Sequence, residues 1–406
     1  MQSSTGQHYL ALDHVRAIAA LLVVTWHFIH GSTGFPIAFD YSPNLFLLSL
    51  FDEGHTGVAL FMTLSGYLFA KLLNGKTIDY KAFLWNRALR LLPLLTVVTA
   101  ASGLYLIVMG KTSPSAFLQT VTSGILLPTL PNGGWSITVE FHYYLILPLL
   151  LWMLRHSRWL PASVLLLSIA FRTIMHQSTG EVQTLAYWTI IGRIDQFVLG
   201  MLAFQFRLHL AHRHGMVVLW LGSFAGFYAY FNALGGFMAA PAYPSPSSLW
   251  VLLPTIEGAS YAVAIAWYDS SFSPPSRGFS KYLGYAGAYS YSIYLIHYNL
   301  VFRAARFIDQ HIMSLTNFYV ALAWALFFFL LMVALGHFSF RYIESPFLRH
   351  RKRYIHSLRD KEVSKDHPAQ DSARLLPSHV VPRSQALYRS HKHPEPHTAA
   401  TPLRNK

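Results

Sequence analysis

The sequence predicts an all-α membrane protein, a polytopic bundle of about ten transmembrane helices. Of the 406 residues, 53% are hydrophobic and only 12% are charged, whereas soluble domains carry about 25% charged residues. Apolar runs of about 20 residues, the length of a helix that crosses the hydrocarbon core, recur up to about residue 340. The predicted transmembrane segments are 10–29, 55–73, 91–110, 135–154, 159–176, 186–206, 216–234, 249–268, 283–303 and 317–338. A shorter apolar stretch at 118–130, bounded by proline, predicts a re-entrant or interfacial segment.

Basic residues are distributed unevenly between successive loops. The loop at 71–90 holds five Lys or Arg residues, whereas the loops at 30–54 and 235–248 hold none. Because cytoplasmic loops carry the excess of positive charge, both termini are predicted to be cytoplasmic. The first helix then has its cytoplasmic end near Arg16 and its outer end near His27.

The two ends of the chain differ from its apolar part. Residues 1–9 contain no Lys or Arg and precede a long apolar run, so a cleaved signal peptide is not expected. Residues 348–406 are rich in Lys, Arg, His and Pro, a composition that cannot bury a core and predicts a disordered cytoplasmic tail. For its histidines His379, His391, His393 and His397, a solvated basic segment is favoured over a metal site. The sequence therefore divides into a membrane domain at 1–347 and a tail at 348–406.

Two features of the composition exclude classes of site and partner. The chain contains no cysteine, which excludes disulfides, thiolate metal sites and a cysteine nucleophile. The net charge of +14 is typical of nucleic-acid binding, but the cations lie in cytoplasmic loops and the tail, where anionic lipid is the ordinary partner. We therefore expect the lipid bilayer as a partner and no nucleic acid.

Two ionisable residues, Arg16 and His27, lie inside the first apolar segment. Such residues are rare in membrane helices unless they line a cavity or carry a function. Eleven residues make three helical turns plus about 20°, so both side chains share one helix face, about 16 Å apart along the axis. This pair predicts a polar site that runs through the membrane.

Arg87 and Arg90 precede Pro93 at the end of the most basic loop. Their spacing of three residues places both on one face of a helix. Two guanidinium groups on one face can bind phosphate bidentately, so the pair indicates a phosphate site at the cytoplasmic end. A positive-inside anchor explains the same residues equally well.

Trp135, Ser136 and Glu140 lead into the fourth predicted helix. Ser136 is predicted to cap that helix, with Glu140 one turn inside it, where a carboxylate normally needs a partner. Glu140 and His27 are expected at similar depth in the outer half of the membrane. A carboxylate beside an imidazole would orient a general base; a purely structural pair is the alternative.

Other polar residues of the apolar segments have weaker interpretations. Ser65 and Gly66 favour close helix packing as much as a functional role. His55 is expected at the outer edge of the membrane as a solvated histidine. For Arg193 and Asp195 in the sixth segment, structural charge compensation is the favoured interpretation.

Two more candidates lie in the last two predicted segments. His297 is expected in the outer half of the ninth segment, and Glu344 lies beyond the tenth at the cytoplasmic face. Glu344 with Arg341 is interpreted either as an interfacial ion pair or as part of a site.

Taken together and in this order, these fragments resemble the membrane-bound acyltransferase family 3, bacterial enzymes that acylate hydroxyl groups of cell-envelope and exported glycans. The resemblance extends from about residue 9 to residue 347. The matching residues are Leu12-Asp13, Arg16 and His27, Gly57-Val58 with Phe61 and Leu64-Ser65-Gly66-Tyr67, Arg87 and Arg90 before Pro93, Trp135-Ser136 with Glu140, Tyr294-Leu295-Ile296-His297, and Glu344 with Pro346.

The resemblance implies transfer of an acyl group, usually acetyl, from cytosolic acyl-CoA to a carbohydrate hydroxyl at the bacterial inner membrane. It implies a catalytic role for His27. Our own hypothesis from the residues is that Glu140 orients His27, and we expect no permanently bound cofactor and no metal. The resemblance also implies donor contacts and supporting residues. The donor contacts are Arg16, Arg87 and Arg90, and the supporting residues are Asp13, Ser65, Trp135, Ser136, His297 and Glu344.

The implied chemistry leaves two routes open. His27 can take the proton of the acceptor alcohol, or it can itself be acylated. Some members of this family carry a soluble hydrolase-like domain after the membrane part, whereas here we expect only the short basic tail at 348–406. The acyl group would then pass to a separate periplasmic transferase, or the acceptor would come to the membrane site. A polytopic transporter or flippase with an intramembrane ion relay is the alternative function, and a membrane sensor or scaffold is a third.

Overall fold

A computed structural model of the protein describes residues 9–30, 43, 45–238 and 243–357. This part of the chain forms fifteen α-helices and two short strands, with a π-helical turn at Phe340–Glu344 between the last two helices. The helices are α1 Leu10–Ile29, α2 Ser49–Asp52, α3 Gly57–Leu73, α4 Tyr80–Val108, α5 Pro114–Ser123, α6 Trp135–His156, α7 Pro161–Thr179, α8 Gln183–Trp188, α9 Ile190–Leu210, α10 His214–Ala233, α11 Leu249–Ser271, α12 Gly278–Ala288, α13 Ser290–His311, α14 Phe318–Ser339 and α15 Ser345–Leu348. The strands are β1 Lys76–Ile78 and β2 Ile355–Ser357.

The predicted all-α membrane bundle is confirmed. Within the described ranges, seven helical stretches are long and apolar enough to cross a membrane: Leu10–Ile29, Gly54–Leu73, Tyr80–Val108, Trp135–His156, His214–Ala233, Leu249–Ser271 and Phe318–Leu348. The other three predicted segments fall on α7, α9 and α13, which have at least 19 residues each but are less apolar. The number of ten spans and the cytoplasmic termini stay predictions. The stretch predicted as re-entrant or interfacial begins in α5 and continues as turns.

Small residues allow the central helices to pack closely. Helix α3 packs along α9, and α9 packs along α11. A Cβ atom on Gly66 would lie 2.0 Å from the carbonyl oxygen of Phe197, and one on Gly200 would lie 2.0 Å from that of Thr63. Gly66 is therefore a packing residue, as the first of its two interpretations held.

Buried charges join α7, α9 and α11. Arg172 is fully buried and donates to Asp195 over 2.7 Å and to Thr255 over 2.8 Å. The predicted compensation of Asp195 by Arg193 is therefore wrong: Arg193 instead donates to Gln196 over 3.1 Å. The two side chains are only two residues apart on α9, so they leave the helix in different directions.

The chain returns to α4 after α15. Strands β1 and β2 pair antiparallel, with Ile78 opposite Ile355 and Lys76 opposite Ser357. Residues 348–357 are thus ordered, although the sequence assigned them to the disordered tail. The rest of that tail, including the histidines considered above, lies outside the described residues.

Candidate active site

A cavity of about 230 Å³ lies among α1, α3, α4, α6, α12, α13 and the segment after α15. Four arginines contribute to its wall, together with a series of hydroxyl and carboxyl groups. The arginines are Arg16, Arg87, Arg90 and Arg351, and the other polar side chains are Tyr9, Asp13, Ser65, Ser136, Glu140, Tyr144, Ser290, Tyr291, Tyr294 and Tyr354. The structure therefore brings seven of the eleven predicted site residues to one cavity.

Arg87 and Arg90 both reach the cavity from α4, as their spacing predicts. Arg90 forms an ion pair with Glu344, whose carboxylate is fully buried and also accepts a hydrogen bond from Ser292. Of the two interpretations left open for Glu344, the ion pair with Arg341 is therefore wrong, and Glu344 instead pairs with a cation of the cavity wall. The Nε of Arg87 has no hydrogen-bond partner among the described residues.

Arg16 enters the cavity from α1 and forms an ion pair with Asp13, one turn earlier on the same helix. The side chain of Arg16 is 30% exposed and that of Asp13 only 4%. Asp13 thus holds the guanidinium at the cavity wall while leaving part of its surface accessible.

Glu140 lies on the cavity side of α6, where its carboxylate accepts a hydrogen bond from Tyr144 and interacts electrostatically with Arg87. No hydrogen bond or ion pair joins Glu140 to His27 in the described part of the chain. The predicted pair of His27 and Glu140 is therefore wrong. Similar depth in the membrane does not make two residues neighbours, because the rotation of each helix decides which side chains face each other.

The neighbours of His27 fix its tautomer. Its Nδ1 lies 2.8 Å from the carbonyl oxygen of Val23, and a carbonyl oxygen can only accept a hydrogen bond. Nδ1 therefore carries the hydrogen of the neutral ring, and Nε2 holds a lone pair. A base or a nucleophile requires this lone pair.

A second histidine lies beside His27, at the position predicted for the carboxylate of Glu140. His297 is buried, and its Nε2 lies 3.4 Å from Nδ1 of His27, with the ring centres 5.0 Å apart. The Nδ1 of His297 lies 2.6 Å from the carbonyl oxygen of Tyr294, so its Nε2 can accept a hydrogen bond. The two rings form a pair in which His297 faces the protonated side of His27.

Tyr294 separates the cavity from the histidine pair. Its side chain lines the cavity, accepts a hydrogen bond from Ser136 over 2.7 Å and donates one to the carbonyl oxygen of Gly133 over 2.8 Å. Its backbone holds His297, as described above. Neither histidine lines the cavity wall, so the basic cavity and the histidine pair are adjacent regions joined by one tyrosine.

A comparison with known protein families identifies the family to which this site belongs. The family model described as an acyltransferase domain, that of acyltransferase family 3, matches residues 9–338. The chain belongs to acyltransferase family 3. No curated protein and no solved structure matches the chain. Family membership makes the protein a membrane acyltransferase and gives no support to a transporter.

Three residues of this acyltransferase lie in surroundings that differ from those predicted from the sequence. Trp135 is buried beside Tyr187 and Trp188 rather than in the cavity wall. Ser136 does not cap α6, which begins one residue earlier, and its hydroxyl instead donates to the tyrosine described above. His55, predicted to be solvated, is only 1% exposed, and its Nε2 lies 3.2 Å from the carboxylate of Glu53.

Two groups of cavity residues in this acyltransferase carry no distinct signal in the sequence. Tyr144 and Tyr291 line the cavity, but a tyrosine inside an apolar segment is an ordinary core residue and gives no distinct signal. Arg351 also lines the cavity. It lies in a basic run after the last helix, which looks the same as a positive-inside anchor.

Proposed function

We propose that this acyltransferase moves an acyl group, acetyl in the simplest case, from acyl-CoA to a hydroxyl of a cell-envelope or exported carbohydrate. The observation that carries the proposal is a cavity lined by arginines that ends beside a histidine with a free Nε2 lone pair. The arginines suit the donor's phosphates and the histidine suits the transfer step. One donor molecule would connect the two regions.

The basic end of the cavity supports acyl-CoA as the donor. Arg87 and Arg90 lie on one face of α4 and can bind phosphate oxygens bidentately. Arg16 lies on the wall at the start of α1, about 16 Å along the axis from His27. The pantetheine arm of CoA is a long chain that can extend along the cavity while its phosphates stay at the arginines. Its acyl end must then pass Tyr294, whose side chain has to move.

The transfer step uses the Nε2 lone pair of His27 in either of two ways. In direct transfer, Nε2 accepts the alcohol proton while the alcohol oxygen attacks the thioester carbonyl, the C–S bond breaks, and the CoA thiolate takes the proton back. In the covalent route, Nε2 attacks the thioester first and CoA leaves. The alcohol oxygen then attacks the acyl-imidazole, the C–N bond breaks to release His27, and the alcohol proton passes to the CoA thiolate.

His297 acts in this proposal as a positioning residue. Both routes place positive charge on the ring of His27, and the Nε2 of His297 lies on the side of its Nδ1–H. A hydrogen bond from a charged ring is stronger than one from a neutral ring. His297 can therefore accept this hydrogen bond and orient the ring of His27, the role that the sequence had given to Glu140.

The location of the reaction follows from the loop charges. With the arginine end of the cavity toward the cytoplasm, CoA enters from the side where it is made, at the bacterial inner membrane. His27 then lies toward the outer face, where a lipid-linked or exported glycan can reach it directly. A separate periplasmic transferase is the other acceptor of the acyl group.

The test is acyl transfer in membranes that contain the native protein or the variant His27→Ala, with radiolabelled acetyl-CoA and host glycans. We expect label in a glycan with the native protein and at least a hundredfold loss with the variant, the lower range for losing a general base. His209→Ala, which removes an exposed histidine at the end of α9, is the matched control. Equal transfer by correctly inserted His27→Ala would refute both routes.

A further inference from the structure

The segment that follows α15 is held against the cavity by its backbone. The side-chain amide of Asn86 on α4 makes two hydrogen bonds to the backbone of Lys352. It donates one to the carbonyl oxygen over 2.7 Å and accepts one from the N–H over 2.9 Å. Two residues on, the carbonyl of Tyr354 accepts from the N–H of Asp79 over 2.9 Å. Pairing of β1 with β2 continues this attachment. The residues before β2 therefore have a fixed position on α4.

This attachment places Arg351 in the cavity wall with Arg87 and Arg90. Arg351 has no ion-pair partner in the described part of the chain, and its buried Nε has no hydrogen-bond partner there. Burial, and then repulsion from Arg87 and Arg90, lower the pKa of Arg351 to about 10. Arg351 thus stays charged at neutral pH, beside two other cations.

The carboxylates nearby do not neutralise this group of cations. Glu344 pairs with Arg90, and Glu140 interacts with Arg87 and Tyr144. Among the residues that the structure describes, the guanidinium of Arg351 is left without a carboxylate of its own. Buried charge without a partner is costly, so the arrangement favours an anionic ligand at the point where the three arginines meet.

We propose that Arg351 is a phosphate-binding residue of the donor site, a third guanidinium beside Arg87 and Arg90. The inference rests on the proposed function, in which acyl-CoA is the donor. CoA carries a diphosphate and a separate 3′-phosphate, which together make three phosphate groups. The number of arginines at this end of the cavity is the same, and each guanidinium can bind a phosphate bidentately. Asn86 and the strand pair are then positioning elements that hold Arg351 there. Arg351 lies beyond the matched family region of 9–338.

The experiment measures the KM for acetyl-CoA with the full-length protein in membranes, for the native chain and for Arg351→Gln. We expect the KM to rise about tenfold, the effect of one lost charge-assisted contact, with a much smaller change in kcat. Arg349→Gln removes an exposed arginine that does not line the cavity, and its KM should equal the native value. Arg351→Lys keeps the charge and should recover part of the loss.

The outcomes separate the inference from the proposed function. A native protein that transfers acetyl from acetyl-CoA, together with an unchanged KM in Arg351→Gln, would overturn the role of Arg351 alone. Equal increases in Arg351→Gln and Arg349→Gln would also overturn it, because the effect would then be one of general charge. A native protein that neither binds nor uses acyl-CoA would overturn the proposed function, and the inference with it.

Discussion

The core of α7, α9 and α11 and the cavity beside α1, α4 and α6 both contain buried charges, but the two regions differ in how those charges are compensated. In the core, the guanidinium of Arg172 makes five hydrogen bonds, to the carbonyls of Val251 and Gly192, to Ser168, to Asp195 and to Thr255. In the cavity, the Nε atoms of Arg87 and of Arg351 have no hydrogen-bond partner among the described residues.

This difference separates structural charge from functional charge. Desolvating an ion costs several kcal/mol, which a fully bonded pair largely offsets. A charge that stays incompletely bonded at a cavity wall keeps its capacity for a ligand. Polar residues in membrane segments are therefore better judged by their remaining hydrogen-bonding capacity than by their presence alone.

The largest effect is expected in the core, from Arg172→Met. Asp195 would lose its cationic partner in a dry environment, and we expect the free energy of unfolding to fall by about 3–5 kcal/mol. Thermal unfolding in detergent measures this change. The KM for acetyl-CoA of the folded fraction should stay at the native value, because Arg172 does not line the cavity.

Two further variants control that measurement. Arg158→Met removes an exposed arginine and should leave unfolding within about 0.5 kcal/mol of native. The double variant Arg172→Met with Asp195→Leu should recover part of the lost stability, since it removes both charges. If Arg172→Met unfolded like the native protein but bound acetyl-CoA weakly, the distinction between core and cavity would fail.

A smaller effect, on donor binding rather than on stability, is expected from Arg87→Gln in the cavity. The KM for acetyl-CoA should rise about tenfold, because a bidentate phosphate contact is lost, while thermal unfolding changes little. Lys81→Gln, an exposed residue earlier on α4, is the control and should leave both unchanged. A loss of stability with an unchanged KM would show that Arg87 is an anchor, the alternative that its sequence position left open.

The sequence predicted the features that depend on distance along one helix. Apolar length gave the long helices, and a spacing of three residues placed Arg87 and Arg90 on one cavity wall. It did not predict contacts between helices. Depth in the membrane suggested Glu140 as the partner of His27, but depth leaves the rotation and the neighbours of each helix undetermined.

The residues that the sequence did not indicate also depend on contacts between distant parts of the chain. Arg172 lies in a predicted segment, yet nothing in its sequence neighbourhood points to Asp195, 23 residues away. Arg351 lies in the cavity wall in a segment that Asn86, 266 positions before Lys352, helps to hold by its backbone. Such contacts depend on tertiary packing, which a single sequence does not display.

The smallest effect is expected at Glu140, and it tests the corrected pairing. Glutamine at this position keeps an acceptor for Tyr144 but removes the negative charge beside Arg87. We therefore expect Glu140→Gln to keep kcat within about twofold of native and to lower the KM for acetyl-CoA slightly, because the local potential becomes more positive. Steady-state kinetics in membranes measure both values.

His297→Gln is the paired variant for Glu140→Gln. It alters the residue that does face His27, and we expect kcat to fall about tenfold, the typical value of one hydrogen bond to a charged group, with the KM nearly unchanged. The opposite result, a loss of a hundredfold or more in kcat for Glu140→Gln alone, is the size expected when a general base loses its function. It would restore the carboxylate as the partner of His27 and place a step of the reaction inside the arginine-lined cavity.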